Sequence, residues 1–210
     1  MRVLTKLGGC CRATLLSCAL AALAAGPALA GGIDQAKAGL LALKKGDNTK
    51  AVTLLTDALD SNELPVEKIS LFYAARGEAH AACGEPAKAI TDYSKALALA
   101  PHNAAVAYNR GNAHFCLHHY DKAIADYSLA LDIDVGNAKA FNNRGAAWFK
   151  KGNLQSALAN FSLAINLDPE DPDIFLNRGK VYEALGAPEK ARTDFLQVKK
   201  LDPSAKTPLD

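Results

Sequence analysis

The sequence predicts an all-α solenoid, a stack of helical hairpins following a short N-terminal leader. Three observations carry this reading. Gly77, Gly111, Gly145 and Gly179 recur at a pitch of 34 residues, and so do Ala89, Ala123, Ala157 and Ala191 and the aromatic row Tyr93, Tyr127, Phe161 and Phe195. Within a copy the apolar residues fall at helical spacing: Ala123, Tyr127, Ala130 and Leu131 are i, i+4, i+7 and i+8. Turn residues stand between the helical stretches, as in Gly84-Glu85-Pro86, Gly152-Asn153 and Gly186-Ala187-Pro188. One helical hairpin cannot bury its apolar face alone, so copies at this pitch stack into a continuous core.

The leader comes first. Arg2, Lys6 and Arg12 supply a basic segment without a single acid, residues 13–26 are apolar, and Pro27 breaks the helix. Ala28 and Ala30 place small residues where a signal peptidase reads, so residues 1–30 are expected to be a signal peptide cleaved after Ala30. The apolar run falls short of the roughly 20 residues that span a bilayer. Leu15-Leu16-Ser17 ahead of Cys18 would suit a lipoprotein signal, but five residues between Arg12 and Cys18 make a poor apolar core. Without the leader, 21 basic residues face 22 acidic ones. That balance offers no basic patch for nucleic acid and no polybasic tail for a membrane surface. Only Cys83 and Cys116 of the five cysteines lie beyond the leader, too few for a disulfide-built fold. Whether those two bridge is a question of geometry.

The array begins with a degenerate hairpin over 31–64, where Gly39, Gly46, Ala51, Leu55 and Ala58 match in spacing. Its link to the next copy is four residues longer than the others, absorbed around Ser61-Asn62-Glu63-Leu64-Pro65. Four full copies then fill 65–203, at 70–103, 104–137, 138–171 and 172–203, with helical segments such as 104–117 and 120–133. Leu97, Leu131 and Ile165 form a ladder that should pack on the following copy. Its next rung is Lys199, a charge suited to an end that faces water, and the short tail 204–210 is too brief for a capping helix.

This pattern resembles the tetratricopeptide repeat, almost without gaps over 70–203. The resemblance implies a right-handed superhelical solenoid of about five hairpins, whose first helices line a concave face that holds an extended peptide or a partner's helix. Asparagine rows line that groove in some members. Here Asn109, Asn143 and Asn177 recur at the repeat pitch, each just before Arg-Gly. An amide both donates and accepts, so such a row can match a peptide backbone without reading side chains. The alternative is a solvated position copied by duplication. The first two copies carry Lys37 and Ala75 in this slot. Tyr108, Asn112 and Phe115 share one helical face, Asn142, Ala146 and Phe149 form the matching set, and Leu176, Lys180 and Glu183 continue it. The candidate partner-binding residues are therefore Tyr108, Asn109, Asn112, Phe115, Asn142, Asn143, Phe149, Asn177 and Lys180, with core packing as the competing role for Phe115 and Phe149.

Arg76, Arg110, Arg144 and Arg178 occupy a slot where the family usually has an apolar residue. Sixteen residues on stand Asp92, Asp126, Asn160 and Asp194. A constant offset between opposite charges reads as one ion pair per copy, against a row that grips an acidic ligand. Asn160 breaks the series and makes Arg144 the expected free member. His114 and His118, read as i and i+4 on one helix with Cys116 and His119 nearby, raise a metal or small-ligand site as the rival function. No acid completes that set, so no metal ligand is assigned. No serine elbow, phosphate loop, zinc-protease helix or dinucleotide turn occurs, and the repeats leave no length for a catalytic domain. The sequence thus reads as a non-enzymatic adaptor without cofactor that binds another protein or peptide in the periplasm of a Gram-negative bacterium; it names neither partner nor oligomeric state.

Overall fold

A computed structural model describes residues 31–210; the leader and its cleavage site lie outside them. Ten α-helices follow one another in this span, with no strand: α1 (Gly32–Lys44), α2 (Asn48–Asp60), α3 (Val66–Ala82), α4 (Pro86–Leu99), α5 (Ala104–Cys116), α6 (Tyr120–Ile133), α7 (Ala138–Lys150), α8 (Leu154–Leu167), α9 (Pro172–Ala184) and α10 (Pro188–Leu201). Residues 31–117 form one compact unit and His118–Asp210 another. In the first, α1 packs on α2, α2 on α3, α3 on α4 and α4 on α5, while the first helices α1, α3 and α5 touch in turn. In the second, α6 to α10 pack in the same sequential way and α7 touches α9.

Local chemistry sets the helix ends. Asn103, Asn137 and Asn153 accept a hydrogen bond from the backbone N–H three residues on, satisfying donors that a helix start leaves open. Pro86, Pro172 and Pro188 stand in the first turn, where a missing N–H costs nothing. First helices stop at a left-handed residue, Gly84 at φ 76° and Gly152 at φ 79° among them. In the third copy that place belongs to His118 at φ 60°. A side chain there is disfavoured but tolerated better for histidine than for branched residues. The helix read over 104–117 therefore ends at Cys116, and His118 lies in the turn beyond it.

The core repeats with the sequence. Tyr93, Tyr127 and Phe161 are fully buried with alanines one turn to either side on their own helices, and Phe195 is buried with Ala191 and Val198 on its own. A Cβ on the facing glycine would strike these rings, at 2.8 Å for Gly77 and Tyr93, 3.0 Å for Gly145 and Phe161, and 2.4 Å for Gly179 and Phe195. The first hairpin uses Gly39 against Leu55 in the same way, at 2.7 Å. The longer link after α2 has two parts. α3 carries 17 residues against 13 in α5. Ahead of it Leu64 sits in the core with Ala36, Leu55 and Phe72, and Glu63 Oε2 accepts from Gly32 N at the start of α1.

The end of the array differs from its reading. Lys199 does not simply face water: its Nζ pairs with Asp210 at 2.6 Å. Thr207 is buried, its N–H donates to Asp210 Oδ2 at 2.8 Å and its Oγ1 accepts from Leu209 N. The tail 204–210 is thus folded into turns and clasped to α10. The hydrogen bonds from Lys199 and Thr207 hold the Asp210 carboxyl below its ordinary pKa. The clasp therefore persists at neutral pH and opens only when acid protonates Asp210 below the usual carboxylate range.

Candidate functional site

The candidate residues lie on first helices, but their burial divides them. On α5, Tyr108, Asn109 and Asn112 are half-buried and Phe115 is buried, as its core role requires. On α7, Asn142 and Phe149 are half-buried, and on α9 so are Asn177 and Lys180. Asn143 stands apart: it is only 4% exposed. Equal phase in the sequence has not produced equal exposure, and Asn143 belongs to the packing as much as to the surface. An amide relay joins α9 to α7. Asn177 Nδ2 donates to Asn142 Oδ1 at 3.1 Å, and Asn142 Nδ2 donates to Asn143 Oδ1 at 3.3 Å. Each primary amide has two N–H groups and an acceptor oxygen, so Asn142 and Asn177 retain hydrogen-bonding capacity beyond the relay. Burial, with Lys150 adding repulsion, pushes the Lys180 ammonium pKa down despite Asp173 and Glu183 nearby.

The arginine ladder is built into the packing. Arg76 donates from Nε and Nη2 to the two oxygens of Asp92, both at 2.8 Å, and Arg178 does the same to Asp194 at 2.9 and 2.7 Å. These carboxylates raise both arginine pKa values against the opposing effect of burial. The third nitrogen reaches back to the second helix of the preceding hairpin: Arg76 Nη1 donates to Thr56 at 3.1 Å and Arg178 Nη1 to Ser162 at 3.4 Å. Arg110 Nη1 reaches Ser94 at 3.2 Å and Arg144 Nη1 reaches Ser128 at 2.9 Å. Each arginine thereby ties neighbouring hairpins. The row Ser94, Ser128, Ser162 has the 34-residue pitch and was legible in principle; only its meaning required the stacking. Arg144, expected to be free, is not: its Nε donates to Asn160 Oδ1 at 2.8 Å. Rings one turn earlier flank three of the guanidiniums, Tyr73 at 5.6 Å from Arg76, Phe141 at 5.3 Å from Arg144 and Phe175 at 5.8 Å from Arg178.

The histidines do not assemble as read. His114 is buried on α5, whereas His118 is exposed in the turn, with Nδ1 2.9 Å from Tyr120 Oη. Among the described residues no group of three or more His, Cys, Asp or Glu side chains is placed to hold a metal ion. His80 and His114 share a slot with Trp148 and Tyr182 at the repeat pitch. His80 Nδ1 lies 2.7 Å from Glu85 Oε2, a carboxyl that burial would raise but that hydrogen bonds from Lys88 and His80 hold below its ordinary pKa. Cys83 carries a thiol at the end of α3, so it is not bridged to Cys116. No helix among the described residues is long and apolar enough to cross a membrane.

Comparison with known proteins agrees with this geometry. The pattern described as TPR repeat matches residues 77–117 and 145–186, and the pattern described as Tetratricopeptide repeat matches 104–137 and 172–204. No curated protein sequence matches the chain. Solved structures of MamA are similar in fold. MamA MSR-1 superposes with a TM-score of 0.71 at 23% identity, over 82% of this chain and 97% of that one. MamA AMB-1 gives 0.70 at 24% identity, over 85% and 95%, and a further MamA crystal structure gives 0.74 at 20% identity, over 82% and 92%. The repeat matches together cover more than half of the sequence, the stacked hairpins are those of a protein–protein interaction scaffold, and the chain belongs to the tetratricopeptide-repeat family.

Proposed function

We propose that the chain is an extracytoplasmic adaptor that holds a peptide or partner protein on its first-helix face and catalyses no reaction. The observation that carries the reading is the half-buried amide relay from α9 to α7 beside Lys180. Amides already ordered by one another present donors and acceptors at fixed positions, which lowers the entropic cost of pairing with an extended backbone. Phe149 on the same helix supports apolar contact next to them. Export to the periplasm rests on the basic, apolar and small-residue order of the leader, and the mature protein is expected to start at Gly31. Terminal sequencing of protein from the envelope checks this; an acylated start at Cys18 would replace the reading with a lipoprotein.

Partner binding is tested by capturing a ligand from envelope extract on the mature protein and titrating it against Asn142→Ala/Asn177→Ala. Each lost amide is expected to cost on the order of 1 kcal/mol, because water competes for a partly exposed bond. Added together, two losses weaken binding roughly thirtyfold. Asn143 is left intact, since its burial would confuse binding with folding. An unchanged affinity in a folded double variant would move the binding surface elsewhere.

A further inference from the structure

Arg144 sits in the fork that Arg76 and Arg178 share, but the group across from it is an amide. At Arg178 both oxygens of Asp194 are used, by Nε and Nη2. At Arg144, Asn160 supplies one oxygen to Nε, and its Nδ2 is turned away to donate to Ser156 O at 2.8 Å. Ser128 takes one N–H of Nη1. A guanidinium carries five N–H groups. Two are thus used here, and Nη2 donates to no acceptor among the described residues. Nη2, the nitrogen that a carboxylate holds at Arg76 and Arg178, thus keeps both of its N–H groups for an incoming carboxylate.

The electrostatics point the same way. Arg76 and Arg178 have carboxylates that offset their burial. Arg144 does not: burial lowers its pKa, and Asp132, exposed on α6, is the acid that counters it. An amide dipole satisfies a hydrogen bond but leaves the positive charge uncompensated. The guanidinium is held by Asn160, Ser128 and the Phe141 ring yet remains partly exposed, so little freedom is lost when a ligand arrives. One partly exposed charge holds a free anion weakly. A carboxylate carried on a chain already docked is presented at a far higher effective concentration.

We propose that Arg144 is the anchoring point for an aspartate or glutamate of an acidic partner segment, supplying to the scaffold the carboxylate that the fourth copy lacks. This rests on the reading of the chain as an interaction scaffold. Asn160→Asp tests it without removing the arginine, because an internal carboxylate would take Nε and Nη2 and compensate the charge as Asp194 does at Arg178. The full chain is titrated with a labelled, end-capped hexaglutamate peptide at low salt and read by fluorescence anisotropy. Wild type is expected to bind, Asn160→Asp to bind at least tenfold more weakly while melting at a higher temperature, and Asn166→Asp to stay within twofold. Asn166 is exposed on the same helix and carries the same charge change away from the fork. Equal binding by wild type and Asn160→Asp, equal weakening by Asn166→Asp, or no binding by wild type would each overturn the anchor. A captured partner that responds to the Asn142 and Asn177 changes but not to Asn160→Asp would overturn the anchor and leave the scaffold reading standing.

Discussion

Gly145→Leu is expected to lower the stability of the array by about 1–3 kcal/mol or more, the range for forcing extra methylenes into a packed core. A Cβ at this position already meets the Phe161 ring at 3.0 Å and the Asn160 Cβ at 3.2 Å, and Phe161 is fully buried with no room to withdraw. For a chain of this length the melting midpoint falls by about 2–4 °C per kcal/mol. Circular dichroism at 222 nm reads the shift. Gly179→Ala should be costly in the same assay although it adds one carbon, since that carbon would lie 2.4 Å from Phe195. A midpoint unmoved by Gly145→Leu would mean that α7 and α8 do not approach as described.

The second large effect belongs to the pair Arg178 and Asp194. Their side chains are 20% and 4% exposed, so removing one partner leaves the other charge poorly compensated. Arg178→Ala and Asp194→Ala should each cost about 2–4 kcal/mol, somewhat under the full cost of breaking a wholly buried pair because the arginine keeps some contact with water. Removing both should cost clearly less than the sum, with a coupling of about 1–3 kcal/mol. Urea unfolding of the four proteins completes the cycle. The same cycle at Arg144 and Asn160 should give a smaller coupling, about 1 kcal/mol, as befits one hydrogen bond to a neutral amide. Equal couplings at the two sites would show that charge plays no part in the ladder.

Much of the fold was legible because duplication writes the same packing solution repeatedly. The glycine row meets the aromatic row because both keep one pitch, and the offset between arginine and aspartate announced a bond that Arg76 and Arg178 make. What escaped the reading depended on neighbours rather than on phase. The serine row was visible as letters, but its partner lies on the next hairpin, and Thr56 is shifted out of pitch by the longer link. Asn143 shares its phase with Asn177 yet is buried, and burial is set by neighbours that phase does not encode. Lys199 was read from the ladder alone, without the fold of the tail that brings Asp210 to it. His118 interrupted the helix read through it because its backbone takes the conformation that glycine holds in neighbouring copies.

The backward reach of the arginines has a consequence for how such a chain can change length. Every clip joins a residue of one copy to the serine or threonine of the copy before it, so the array has a unit of exchange as well as a unit of packing. Deleting residues 138–171 would bring Ser128 into the place of Ser162 opposite Arg178, and Gly179 would keep its own Phe195. A change of another length has to be absorbed in a link, as the extra residues between α2 and Arg76 are, where the clip to Thr56 spans 20 residues instead of 16. Recombination that moves whole periods therefore keeps every clip in place, whereas a change of other length keeps it only where a link takes up the difference, as the one ahead of α3 does.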